Sequence, residues 1–136
     1  MRFALILLAA PALAQDPLEN AGFRHFYNLE YEAAREEFAR QATADPKSAD
    51  ARNHVAQAIL FGEMYRSGAL ESELVTGSNP FVRRPNLNPT AGDQLAFETA
   101  IRESMTLCED RLRANPNDTG ALYAMGVAHG LRATYN

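Results

Sequence analysis

The stretch AGFRHFYNLEYEAAREEFARQATADP, residues 21–46, contains two helical patterns separated by a short break. Before the break, the aromatic residues that crowd one side are Phe23, Phe26 and Tyr27. After it, apolar residues recur at helical spacing and charged residues take the other side; the apolar set is Tyr31, Ala34, Phe38 and Ala42. The second pattern stops at Asp45-Pro46, because proline cannot continue a helix. The stretch therefore predicts two consecutive amphipathic helices.

Capping residues predict where the helices of the first half of the chain begin. Asp16 followed by Pro17 is typical of a helix start and predicts that the first helix begins there. Ser48 predicts the start of a third helix that runs to about Arg66. The apolar side of this third helix is formed by Val55, Ala56, Ile59, Leu60 and Met64.

Two more helices are predicted in the second half. Thr90 with Asp93 resembles a capping box and predicts a helix that ends at residues 115–116, Asn-Pro. Asp118 predicts the cap of a last helix. Residues 75–89, VTGSNPFVRRPNLNP, contain three prolines and a glycine and predict a loop. Since no segment has the pattern of a strand, the predicted fold class is all-α.

The last segment, GALYAMGVAHGLRATYN at residues 120–136, is rich in residues with very small side chains. These are Ala121, Ala124, Gly126, Ala128, Gly130 and Ala133. Glycine inside a helix costs about 1 kcal/mol relative to alanine, so close contact with neighbouring helices is predicted along this segment. A membrane dimer motif is the alternative for its two glycines, but the polar residues around them argue against it.

A long-range repeat connects these segments. The Asp-Pro pair at 45–46 and the Asn-Pro pair at 115–116 lie 70 residues apart. In both cases a capping residue stands two positions after the proline. This separation is about twice the ~34-residue period of tetratricopeptide arrays. Residues 21–46 resemble one such repeat, in which Gly22, Tyr31, Ala34, Phe38 and Pro46 match. The last segment resembles the first helix of another repeat, in which Leu122, Met125, Gly126 and His129 match.

The resemblance implies an α-α superhelix of antiparallel helix hairpins with a long proline-rich loop in the middle unit. His25 and Gln41 depart from the usual tyrosine and alanine of the first repeat, and Ser104 and Cys108 depart from the pattern of the middle one. The general plan is similar to that of exported bacterial tetratricopeptide proteins. The last repeat would have only its first helix, so we expect a chain that continues beyond residue 136 or a partner that covers this helix.

Residues 1–14, MRFALILLAAPALA, have the pattern of a signal peptide, with a positive start, an apolar run and a small-x-small cleavage site. Cleavage before Gln15 would leave a helical domain at residues 15–136 in the periplasm or outside the cell. The alternative is an uncleaved anchor, although the run is shorter than the ~20 residues that a membrane crossing needs. No stable membrane span is therefore expected after cleavage.

Several classes of function lack residues that could carry them. A net charge of −4 without a basic cluster argues against nucleic-acid binding. His25, His54 and His129 have no metal-ligand spacing, and no serine or glycine motif of a hydrolase or nucleotide-binding enzyme is present. Cys108 falls in a helical apolar pattern, so a buried thiol is favoured over a nucleophile. No metal, cofactor or catalytic residue is predicted.

The resemblance implies a concave surface, lined by the first helix of each repeat, that binds a protein or an extended peptide. The residues in register with this surface, which we name the candidate groove, are Phe23, Phe26, Tyr27, Asn53, Gln57, Tyr123 and Val127. Structural packing is the alternative role for its aromatic residues. The oligomeric state is not predicted.

The proline-rich loop offers a second candidate contact. Phe81 with Arg83 and Arg84 could bind a carboxylate or an acidic peptide, because guanidinium groups form paired hydrogen bonds with carboxylates. Alternatively, Phe81 folds back onto the helices and the arginines pair with local acids. The predicted function is a non-catalytic interaction module; the alternative is an accessory subunit or small-molecule carrier of an envelope enzyme that uses residues 75–89 as a lid.

Overall fold

A computed structural model describes residues 20–70 and 87–135 of the chain. Within these ranges all regular structure is helical and no strand occurs, which confirms the all-α prediction. The helices are α1 (Ala21–Tyr27), α2 (Tyr31–Ala44), α3 (Ala49–Arg66), α4 (Ala91–Ala114) and α5 (Thr119–Tyr135). The signal peptide and all but the last three residues of the loop at 75–89 lie outside the described ranges.

Side-chain caps explain where the helices begin. Ser48 Oγ accepts a hydrogen bond from the Ala51 amide at 3.1 Å, and Thr90 Oγ1 accepts one from the Asp93 amide at 3.1 Å. Asp118 also binds the first turn of α5, as predicted (Oδ1 to Ala121 N, 3.0 Å). Each side chain satisfies an amide that has no partner inside the helix.

The beginning of α1 differs from its predicted position. The described helix begins at Ala21, and Asn20, whose backbone is extended, accepts a hydrogen bond from the Gly22 amide at 2.9 Å. The predicted start at Asp16-Pro17 lies outside the described residues. Asn20 is therefore the cap of α1.

Each helix packs against the next one along the chain, and α3 also contacts α5. The turn between α1 and α2 is tight because Leu29 adopts a left-handed backbone conformation, with φ of 63°. Two main clusters form the core. One joins α1, α2 and α3 through Phe26, Tyr31, Ala34, Phe38 and Ala58. The other joins α3, α4 and α5 and includes Ala56, Leu60, Phe97, Ile101, Ala128 and Tyr135.

Close contact at small residues is confirmed at some predicted positions. A Cβ atom added at Gly22 would clash with the Phe38 ring, and Ala34 is fully buried. In α5, the alanines at 121, 124 and 128 are fully buried.

The same prediction is wrong for two glycines of α5. A Cβ atom added at Gly126 or at Gly130 would meet no described atom within 4 Å. The reason is that α5 buries its alanine side against α3 and α4, so the glycines fall on the opposite, exposed side.

Candidate functional site

The residues of the candidate groove lie on α1, α3 and α5, with very different exposure. On α1, Phe26 is buried in the core, Phe23 is half-buried and Tyr27 is 62% exposed. The rings of Phe23 and Tyr27 are stacked, with centroids 6.3 Å apart. The rings of Phe26 and Tyr27 meet edge-on, with centroids 5.8 Å apart. The structure therefore brings the three aromatic residues together, and Tyr27 gives the largest accessible surface.

The two amides predicted to contact a peptide have different environments. Asn53 is 2% exposed, and its Nδ2 donates a hydrogen bond to the main-chain oxygen of Ala124 on α5, at 2.9 Å. Asn53 Oδ1 is buried without a partner in the described part of the chain. Gln57, one turn further along α3, is half-buried, and its amide forms no hydrogen bond within residues 20–70 and 87–135. Asn53 thus joins two helices, and the amide left for a ligand is that of Gln57.

The most accessible residue of the candidate groove lies on α5. Tyr123 is 72% exposed and Val127 is half-buried, both next to the buried alanines that contact α3. Since α3 contacts α5 and Phe61 of α3 meets Phe26 of α1 at 5.1 Å, α3 connects the two ends of the groove.

His54 is a polar side chain of this region that the sequence pattern did not assign to the groove. Its ring lies 4.8 Å from that of Phe23 and 5.1 Å from that of Phe38. Burial lowers the pKa of His54, and the nearby Asp50 carboxylate opposes this effect. His54 is therefore favoured in its neutral form. The only feature of the sequence that could have assigned His54 to the groove is that it follows Asn53, a groove residue.

An aromatic cluster extends from α1 to the end of α3. Tyr31 lies 5.3 Å from Phe26 and 5.9 Å from Tyr65, measured between ring centroids. Tyr65 is 46% exposed and Leu29, in the turn before α2, is 50% exposed. The exposed Tyr65 is thus joined through Tyr31 to the aromatic residues of α1, which could not be predicted because α1 and the end of α3 are distant in sequence.

Charged residues of α2, α3 and α4 form an ion-pair network that local sequence patterns do not predict. Arg35 binds Asp93 at 2.7 Å, and Arg66 binds Asp93 at 3.3 Å and Glu32 at 3.1 Å. Arg66 also pairs with Glu63, which is buried. Because an arginine engages each of these carboxylates, the network is suited to holding helices together rather than to general acid–base chemistry.

Two buried side chains with ionisable groups, Tyr135 and Cys108, have raised pKa values. Tyr135 stacks on Phe97 with ring centroids 3.8 Å apart, and burial raises its pKa to about 12, helped by Glu63 and Asp93. Cys108 is fully buried, as predicted, and burial raises the pKa of its thiol. Both groups therefore stay protonated at neutral pH.

Other kinds of site find little support in the described ranges. A surface depression of about 510 Å³ is lined by residues of α2 alone, Glu36, Ala39, Arg40, Thr43 and Ala44, so it is not an enclosed cavity. Across residues 20–70 and 87–135, no group of three or more His, Cys, Asp and Glu side chains is arranged to hold a metal ion. In the same ranges, none of the helices combines the length and apolar character needed to cross a membrane.

The second predicted contact, formed by Phe81, Arg83 and Arg84, lies outside the described residues. Comparison of the chain with protein-family models, with curated proteins and with solved structures found no match. What the chain does is therefore inferred from the geometry of its helices and from the surface they expose.

Proposed function

We propose that the chain is a tetratricopeptide-type superhelix that binds a protein or peptide and has no catalytic activity of its own. In this arrangement α1, α3 and α5 are first helices of successive repeats, and α2 and α4 are second helices. Small residues occupy equivalent positions of the three first helices, since Ala56 lies 34 residues after Gly22 and 70 residues before Gly126. The contacts of each helix with the next, and of α3 with α5, support this register.

The observation that carries the binding role is the exposure of large side chains on the first helices. Tyr27 and Tyr123 are 62% and 72% exposed, and Gln57 on α3 has an amide without a partner among the described residues. Tyrosines supply apolar area together with a hydroxyl group, which suits a surface that binds another chain. The signal-like pattern of residues 1–14 supports a periplasmic or extracellular location for this role.

The test is a selection of peptides that bind the whole chain, followed by hydrogen-exchange mapping of the peptide that binds most tightly. We expect protection on α1, α3 and α5. The double substitution Tyr27→Ser and Tyr123→Ser should weaken binding by about tenfold or more, the equivalent of 1.4 kcal/mol.

Leu95→Ser is the matched control, because Leu95 is 68% exposed on α4, a second helix of a repeat. It should leave the affinity unchanged. Protection of the outer sides of α2 and α4, or equal loss of binding in the control, would refute the groove.

A further inference from the structure

His54 lies where the first three helices meet. Its ring, on α3, is 4.8 Å from the Phe23 ring of α1 and 5.1 Å from the Phe38 ring of α2, measured between centroids. Phe23 and Phe38 are in edge contact with each other at 5.0 Å, so the three rings form one cluster. A group that can take up a proton is therefore part of the contact between α3 and the hairpin of α1 and α2.

The position of α1 depends on contacts between rings. This helix has only seven residues, and a helix this short is not stable by itself. Among the described residues, the ring contacts that join it to α3 are those of Phe23 with His54 and of Phe26 with Phe61, the latter at 5.1 Å. A change in the His54 ring therefore acts directly on one of these contacts.

The surroundings of His54 favour its neutral form. From α1 and α2 it meets the apolar rings of Phe23 and Phe38, and burial lowers its pKa. The charged group that acts on it is the Asp50 carboxylate, one turn earlier on α3, which opposes the effect of burial without cancelling it. The proton that His54 takes up in acid thus enters a poorly solvated place.

Charged side chains of α1 and α2 have partners of their own. His25 of α1 pairs with Glu30 in the turn that follows, and in α2 Arg40 pairs with Glu37. The pairs of α2 with other helices are those of Arg35 with Asp93 and of Glu32 with Arg66. None of these carboxylates is bound to His54, so they do not compensate a charge on its ring.

We propose that protonation of His54 loosens α1 from α3 and so regulates the candidate groove. A charged ring beside Phe23 and Phe38 is poorly solvated, and it regains contact with water when α1 moves away. Since three residues of the groove lie on α1, this movement separates them from Gln57 of α3. Mild acid then weakens the binding of a peptide. This last consequence rests on the proposed function, whereas the local opening does not.

The test is hydrogen exchange of the whole chain, without a ligand, at pH 7 and at pH 5, with rates corrected for the intrinsic effect of pH. The protection of α1 should fall severalfold at the lower pH, and that of α4 and α5 should fall less. His54→Phe keeps an aromatic ring but cannot take up the proton. In this variant the protection of α1 should be the same at both pH values.

The other histidines provide controls. His129 is exposed on α5, so His129→Gln is the matched control and should retain the full effect. His25 lies on α1, 2.5 Å from Glu30, and a protonated ring strengthens this pair. His25→Gln should therefore lose at least as much protection in acid as the unsubstituted chain.

A second measurement does not depend on the folding of His54→Phe. It is an NMR titration of the unsubstituted chain, in which the signals of the His54 ring and of the α1 amides should change together over the same pH range. Amide signals of α1 that do not follow the titration of His54 would contradict the proposal.

Four results of the exchange experiment would overturn the proposal. They are equal protection of α1 at both pH values, an equal fall in every helix, a fall that persists in His54→Phe, and a gain of protection in acid. The last result would show that a cation is attracted to the faces of the rings more strongly than burial disfavours it. Because no peptide is present, failure here and failure of the proposed function are distinguishable.

Discussion

Phe38 on α2 fills the space beside Gly22 on α1, so that a Cβ atom added at Gly22 would lie 2.6 Å from Cδ1 of the ring. The ring is itself fully buried and packs edge-on against Phe23, at 5.0 Å between centroids. It therefore has little freedom to move away. The contact between α1 and α2 depends on the absence of a side chain at this one position.

Gly22→Ala should accordingly destabilise the fold. We expect the free energy of unfolding to fall by about 1 to 2 kcal/mol, because overpacking outweighs the gain in helix propensity. Urea unfolding followed by circular dichroism measures the change. Gly130→Ala is the control and should raise stability by up to about 1 kcal/mol, since Gly130 is exposed within a helix. Equal effects of the two substitutions would contradict the packing described here.

Asn53 should contribute to stability through its contact with α5. Asn53→Ala removes a buried hydrogen bond to the Ala124 oxygen and leaves a space, so we expect a loss of about 1 to 3 kcal/mol. Gln57→Ala, one turn away, should change stability by less than about 0.5 kcal/mol. Chemical denaturation of both variants provides the comparison, and a larger loss for Gln57→Ala would show that the two amides have been assigned the wrong roles.

Asp93 should make stability sensitive to acid. The Thr90 hydroxyl group and the arginines at 35 and 66 lower its pKa, so the folded chain binds this proton less readily than the unfolded chain. The stabilisation is present above the ordinary carboxylate pKa of about 3.9 and is lost as the pH falls through the lowered value. Melting temperatures between pH 5 and pH 2 should therefore fall less steeply in Asp93→Asn. Glu109→Gln, at an exposed position without an ion pair in the described ranges, should retain the full slope.

His54 should make the stability of the fold depend on pH in a higher range than Asp93 does. Burial lowers its pKa, so the unfolded chain takes up this proton first as the pH falls. Stability is complete above the unfolded pKa of about 6.5 and decreases as the pH falls through the folded value. We expect His54→Phe to flatten the melting temperature between pH 7 and pH 5. His129→Gln, at an exposed position, serves as the comparison, and an equally flat profile for it would exclude His54 as the source.

The local features of the fold followed from residues close together in the chain. Ser48, Thr90 and Asp118 predicted the beginnings of α3, α4 and α5, and the prolines at 46 and 116 predicted where α2 and α4 end. These predictions succeeded because a cap acts on amides two or three residues away, and a proline acts on its own turn. The periodic apolar residues of α2 likewise predicted its buried side, including Tyr31, Ala34 and Phe38.

Contacts between segments that are distant in the chain could not be predicted from caps, prolines and apolar periodicity. Gly22 and Gly126 both stand within helical patterns, yet Gly22 lies against the Phe38 ring and Gly126 has no described atom close to it. Whether a glycine of a helix meets another side chain is decided only when whole helices pack together. Asn53 was expected to be accessible and is bound to α5, while Arg35 finds Asp93 across 58 positions of the chain. Periodicity defines which side of a helix is apolar. Which residues of that side meet another helix depends on crossing positions and distances, which exist only once the helices have packed.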